Sequence, residues 1–267
     1  MGLSRLAVVA VWLTLHITFL PRNMEGKEND RLDFNTYFPK VLLFGDSLTQ
    51  RGFHDGGWAI KLMEYFERKC DFLNRGFSGY TSRMCRVILP NLLHRDGHKN
   101  ESLYAATILI GTNDAVLEDK DDRAVPLDEY KDNVKYIISK IESYGVPRER
   151  IILVTPPPMD IAAWTGYARE KDFAVAFSEE KLAPYVNACL TIADEMNMRR
   201  VNLWEDMLKK EDWREFFNDG LHFNNKGHMF VFQELKEHFD VVLSPLKIVY
   251  PEWKDVDHIN PKKDLLV

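Results

Sequence analysis

Val41-Leu42-Leu43-Phe44-Gly45-Asp46-Ser47-Leu48-Thr49 is an apolar run that stops abruptly at a small, polar turn. Such a run, lacking strict alternation, reads as a strand buried on both faces of a parallel sheet. It carries a hydroxyl, Ser47, to the C-terminal end of that strand, the edge of an open α/β sheet at which ligands bind. A serine hydroxyl is a weak nucleophile alone. It needs a base, a group to orient the base, and donors for a developing oxyanion. Taken by itself Ser47 reads as a helix N-cap, so the rest of the chain has to decide.

Asp219-Gly220-Leu221-His222 supplies an imidazole, which exchanges protons near neutral pH, with a carboxylate three residues before it to hold the other ring nitrogen. Between nucleophile and base lie Asn74-Arg75-Gly76-Phe77-Ser78-Gly79 and Gly111-Thr112-Asn113-Asp114, each after a predicted strand. Viewed singly, Gly79 is a turn glycine, Asn113 an Asx-turn residue and Asp-Gly a common turn. Asp46 reads as turn geometry, Asp114 as a loop brace and Asn74 as a hydrogen-bonding link between loops.

The apolar runs predict strands over Lys40–Phe44, Asp71–Asn74, Ala106–Ile110, Ile151–Thr155 and Arg200–Leu203. Helical stripes fall between them. Trp58, Leu62 and Phe66 form one; Leu127, Tyr130, Val134, Ile137, Ile138 and Ile141 form another, stopped by Gly145 and Pro147. A long helix is expected over much of Phe173–Met198, and a last one from Asn224, a good cap residue, carrying Phe232, Leu235 and Phe239 inward. Alternating strands and helices imply right-handed crossovers and one three-layer α/β/α domain.

These four blocks, in this order, resemble the SGNH (GDSL-type) hydrolase superfamily, from about Val41 to Phe239. Asn74 to Tyr80, Gly56-Gly57-Trp58, Ile151 to Pro158 and Asp219 to Phe223 are more closely similar to the isoamyl acetate-hydrolysing esterase family. The resemblance implies a flavodoxin-like parallel sheet of order 2-1-3-4-5 and a serine esterase acting on small, short-chain or acetate esters. It implies catalysis by Ser47, His222 and Asp219, with an oxyanion hole of the Ser47 and Gly79 amides and the Asn113 side chain. That chemistry calls for no cofactor or metal. The superfamily also holds lysophospholipases, thioesterases and carbohydrate O-acetylesterases, and a catalytically silent interaction module on the same scaffold is an alternative of another class. A nucleotide-binding protein is disfavoured, because no glycine-rich phosphate loop follows the first strand.

Phe53, Trp58 and Trp164, with Tyr167, Phe173 and Phe177, are candidates for the substrate pocket, although aromatic residues at such spacings more often belong to a core. Pro156 to Phe177, a mix of aromatics and charges, is expected to overhang Ser47 as a partial lid. His94, Asp96 and His98 read as a solvated loop, since Gly97 interrupts the spacing and no further strong ligand stands nearby. His54, near Ser47 in sequence, yields to His222 as base on the resemblance.

Of 267 residues, 45% are hydrophobic and 28% charged, enough for a sizeable core. A net charge of −6 argues against nucleic acid as a partner. Cys70, Cys85 and Cys189 lack metal spacing and read as packed thiols, with a single bridge and one leftover thiol as the alternative. Residues 1–38 form a targeting- or anchor-like apolar run, Leu6–Leu20 behind Arg5, followed by a polar linker. The favoured expectation is entry to the secretory pathway, with Asn100 as a sequon; the other is a cytoplasmic chain starting at Met24. The hydrolase domain is assigned to 39–243 and an extended surface tail to 244–267. Oligomeric state is left unassigned.

Overall fold

The computed structural model describes residues 38–96 and 103–265. The apolar run Leu6–Leu20, Met24, His98 and the Asn100 sequon lie outside the described residues. Five strands, β1 (Lys40–Gly45), β2 (Asp71–Gly76), β3 (Leu103–Leu109), β4 (Ile151–Val154) and β5 (Arg199–Val201), form one parallel sheet of order β2-β1-β3-β4-β5. The order and direction agree with the sequence expectation, and boundaries move by at most three residues. β1 is central: Leu43 faces Asn74 on one side and Thr107 on the other, so its end brings Gly45 level with Gly76 and Leu109.

Strand periodicity distributes the core to two faces. Leu42, Phe44, Ile108 and Leu153 point to one, Val41, Leu43, Leu109 and Val154 to the other, all buried. The first face is covered by α3 (Ser82–Asp96), α4 (Leu127–Glu142), α5 (Ile161–Glu170) and α6 (Glu179–Glu195). The second is covered by α2 (Trp58–Tyr65), α7 (Leu203–Leu208) and α8 (Asn225–Val242); the one-turn α1 (Ser47–Gln50) follows β1 directly. Each fully buried Leu, Ile or Phe contributes about 1.5–3 kcal/mol, and both layers are built from such residues. Cys70, Cys85 and Cys189 are free and buried, which settles the packed-thiol alternative; burial pushes all three thiols up, Cys70 and Cys189 to about 12.

Two expectations gain their bounds and one is corrected. The helix predicted over much of Phe173–Met198 runs over Glu179–Glu195; it starts there because Ser178 adopts extended angles and its hydroxyl caps the Lys181 amide. The Ala176 carbonyl is drawn off to the Leu117 amide at 2.7 Å. The lid stretch contains a helix of its own, α5, capped by Asp160 on the Ala163 amide. His94 and Asp96 sit in the last turn of α3 rather than a loop, and no group of three metal-ligating side chains occurs among the described residues.

The terminal helix behaves as its sequence suggests: the Asn224 side chain accepts from the Lys226 and Gly227 amides. Beyond it the tail returns to the turn after α2, where Arg68 donates to the Tyr250 and Pro251 carbonyls and pairs with Glu252. It ends in the single turn α9 (Lys262–Leu265). Among the described residues no helix is long and apolar enough to cross a membrane.

Candidate active site

Sterics at the end of β1 set the position of Ser47. A Cβ on Gly45 would lie 2.2 Å from the Leu109 carbonyl oxygen, so only glycine lets β1 and β3 stay paired to the turn. Asp46, not Ser47, is the N-cap of α1: its Oδ1 accepts from the Leu48 amide at 2.9 Å. Ser47 thereby becomes the first residue of the helix and is 5% exposed. Asp46 is buried and its Oδ2 has no partner; burial, with a smaller contribution from nearby Asp114, pushes its carboxyl up to about 7.

His222 arrives from the loop before α8. Phe217 and Phe223 bridge its stem, and the Asn218 amide donates to the His222 carbonyl at 2.8 Å. Within the turn, Asp219 Oδ1 accepts from the amides of Leu221 (3.0 Å) and His222 (2.7 Å), while Oδ2 lies 2.7 Å from His222 Nδ1. His222 Nε2 lies 3.1 Å from Ser47 Oγ. Burial raises the Asp219 carboxyl, but the bonds from the His222 ring and from the two amides outweigh it and hold the group below its ordinary range. An ionised Asp219 places the ring proton on Nδ1 and leaves Nε2 free to accept from the serine. The turn is seated on α5: Asp160 N donates to the Gly220 carbonyl at 2.8 Å, and the Trp164 ring meets the His222 ring edge-on at 5.9 Å.

Two further loops complete the floor. Gly79 adopts φ +78°, and the Asn113 Nδ2 donates to the Tyr80 carbonyl at 3.0 Å, tying the loops after β2 and β3 together. Asn74 connects them to α1, donating to the Gln50 carbonyl at 3.0 Å and accepting from the Gly76 amide at 2.8 Å. Asp114 braces the loop as expected: both its carboxylate oxygens lie 3.0 Å from the Ser82 amide, and burial lifts it to about 6.

Ser47, Gly79, Asn113 and His222 open onto one cleft of about 470 Å³. Trp164, Tyr167, Phe173 and Phe177 form its aromatic wall, from the lid stretch, and Arg51, Arg123 and Asp172 edge it. Phe53 and Trp58 are not there. Trp58 is 1% exposed in the core below α1, its indole donating to the Leu48 carbonyl at 3.0 Å, and Phe53 packs on the same core. Trp58 lies on the face of α2 turned to the sheet, and Phe53 packs beside it from the short turn Arg51–Phe53, so both support the turn that carries Ser47 rather than line the cleft. His54 lines a separate polar cleft of about 460 Å³, with His228 and Lys226. Arg51, Arg123 and Asp172 were missed: Arg123 and Asp172 have no motif, and the signal that could have found Arg51 is its spacing of one helical turn after Ser47.

The profile of the GDSL-like lipase/acylhydrolase family matches residues 43–230, a span holding Ser47, the cleft floor and the Asp219–His222 turn. The chain belongs to this family. As a family member it is similar to the isoamyl acetate-hydrolyzing esterase 1 homolog of Mus musculus, 42% identical over 231 residues, 86% of this chain and 92% of that protein. The isoamyl acetate-hydrolyzing esterase of Saccharomyces cerevisiae is 32% identical over 237 residues, 82% and 95% of the two chains. In fold it is similar to a lipase/acylhydrolase from Enterococcus faecalis, with TM-score 0.59 and 21% identity, covering 79% of this chain and 98% of that one. This GDSL-type chain is a carboxylic ester hydrolase, which sets aside the interaction-module and nucleotide-binding alternatives.

Proposed function

We propose that the chain hydrolyses small, short-chain acyl esters through an acyl-enzyme on Ser47. The observation that carries this reading is the unbroken hydrogen-bonded row Asp219–His222–Ser47 at the floor of an aromatic-walled cleft. His222 Nε2 takes the Ser47 proton as Oγ attacks the ester carbonyl, then returns it to the leaving alcohol; Asp219 stabilises the imidazolium between the two transfers. Water, activated by the same nitrogen, releases the acid. The Ser47 and Gly79 amides and Asn113 Nδ2 receive the negative charge on the carbonyl oxygen. Every proton in this cycle is held by these residues, so the sequence is complete without a metal or cofactor.

The acetate ester named in the mouse and yeast relatives supports a short acyl group. A long-chain enzyme would gain about 0.8 kcal/mol per buried methylene. The expected profile runs the other way, with kcat/KM falling from acetate or butyrate to palmitate p-nitrophenyl esters. A fluorophosphonate probe should label Ser47 and leave the folded Ser47→Ala variant unlabelled and inactive. Labelling elsewhere in active protein would remove Ser47 as nucleophile, and a profile rising to palmitate would move the substrate to long-chain lipids.

A further inference from the structure

Arg123 belongs to no motif, yet it stands over two members of the cleft floor. Its Nε lies 3.0 and 3.1 Å from the two carboxylate oxygens of Asp121, and Nη2 bonds one of them as well. The Arg123 amide also donates to Asp121 Oδ1 at 3.0 Å, so the guanidinium plane is fixed from its inner edge. These bonds lower the Asp121 carboxyl and raise the guanidinium, keeping both charged. Nη1 is left for the cleft. It donates to Asn113 Oδ1 at 3.4 Å and lies 3.5 Å from the place a side chain on Gly79 would occupy.

The Asn113 amide is therefore determined at both ends, Oδ1 toward a cation and Nδ2 toward the Tyr80 carbonyl. Reversing it would set N–H groups against the guanidinium and oxygen against oxygen. Only one N–H of Nδ2 is used by Tyr80, and the other is available to a ligand. A cationic donor on Oδ1 also polarises the amide and strengthens its N–H groups as donors.

We propose that Arg123, clamped by Asp121, is a positioning residue of the oxyanion hole, acting through the Asn113 amide. This rests on the reading that Asn113 binds the oxyanion. The test is a double-mutant cycle on p-nitrophenyl acetate, with protein normalised by circular dichroism and fluorophosphonate labelling. Arg123→Met should lower kcat about tenfold with KM within about twofold, and Arg123→Lys should recover only part, lacking the planar fork. In an Asn113→Ala background the same Arg123→Met change should alter kcat by less than about twofold. If Arg123→Met does not fold, Asp121→Asn, which keeps the guanidinium but loosens it, takes its place in the cycle. An undiminished loss in the Asn113→Ala background, or an effect confined to KM, would overturn the proposal. Wild-type kcat in Asn113→Ala alone would overturn the oxyanion reading itself, and the role of Arg123 with it.

Discussion

Replacing Gly220 by alanine probes how the base is aimed, because this residue lies between Asp219 and His222 and bears on α5. Its φ is +90°, and a Cβ there would lie 2.4 Å from the Asp160 carbonyl oxygen and 2.6 Å from the Trp164 amide. Both obstacles are backbone, held at a capped helix start, so neither can swing aside. Reaching ordinary contact requires a displacement of about 1 Å. The turn that yields carries His222, whose Nε2 is 3.1 Å from Ser47 Oγ. A misplacement of that size costs roughly 10²-fold in rate. The left-handed angle adds about 1–2 kcal/mol of backbone cost in any L-residue. Gly145 separates the two effects: its φ is +92°, but nothing lies within 4 Å of its Cβ position, in the turn before β4 at the far edge of the sheet. Gly220→Ala should lower kcat for p-nitrophenyl acetate roughly 10²-fold and shift urea unfolding to lower midpoint. Gly145→Ala should lose about 1–2 kcal/mol of stability with kcat unchanged. Wild-type kcat in Gly220→Ala would refute the reasoning, since the turn would then yield without moving the imidazole.

Three other outcomes are expected. Asn113→Ala should lower kcat roughly 10²–10³-fold with KM little changed, as for loss of one oxyanion donor; a change in KM alone would make Asn113 an ordinary binding residue. Asp46 holds its proton to about pH 7 when folded but releases it near 3.8 when unfolded, so the folded state binds more protons in between and stability falls as pH rises through that window. Urea unfolding of Asp46→Asn should show a shallower fall across it, and an unchanged slope would reject the assignment. Arg68→Ala should speed proteolysis of the segment after Ser244 without altering kcat, because Arg68 holds the tail at the Tyr250 and Pro251 carbonyls; equal digestion rates would show that other contacts hold it.

Strand positions, their order in the chain and the residues at strand ends are properties of local sequence. Buried parallel strands need continuous apolar runs, so β1 to β5 were legible within a few residues, as were the Asn224 cap and the Gly145 stop. Ser47, Asp219 and His222 could be named because a hydroxyl, a carboxylate and an imidazole are placed by turns whose own chemistry is short-range. The Asp219–His222 contact at 2.7 Å is local to its turn, but the closure of His222 on Ser47 to 3.1 Å joins residues 175 positions apart and belongs to the tertiary structure. The aromatics divide for the same reason. Trp58 and Trp164 carry similar local signals, but α2 turns the first onto the sheet and the seating of Gly220 on α5 sets the second against His222. The break at Ser178 follows from an Ala176–Leu117 bond spanning separate loops, which no helical periodicity records. Arg123 is the plainest case: its meaning lies in Asp121, Asn113 and Gly79 meeting around one guanidinium, and only folding brings those three together.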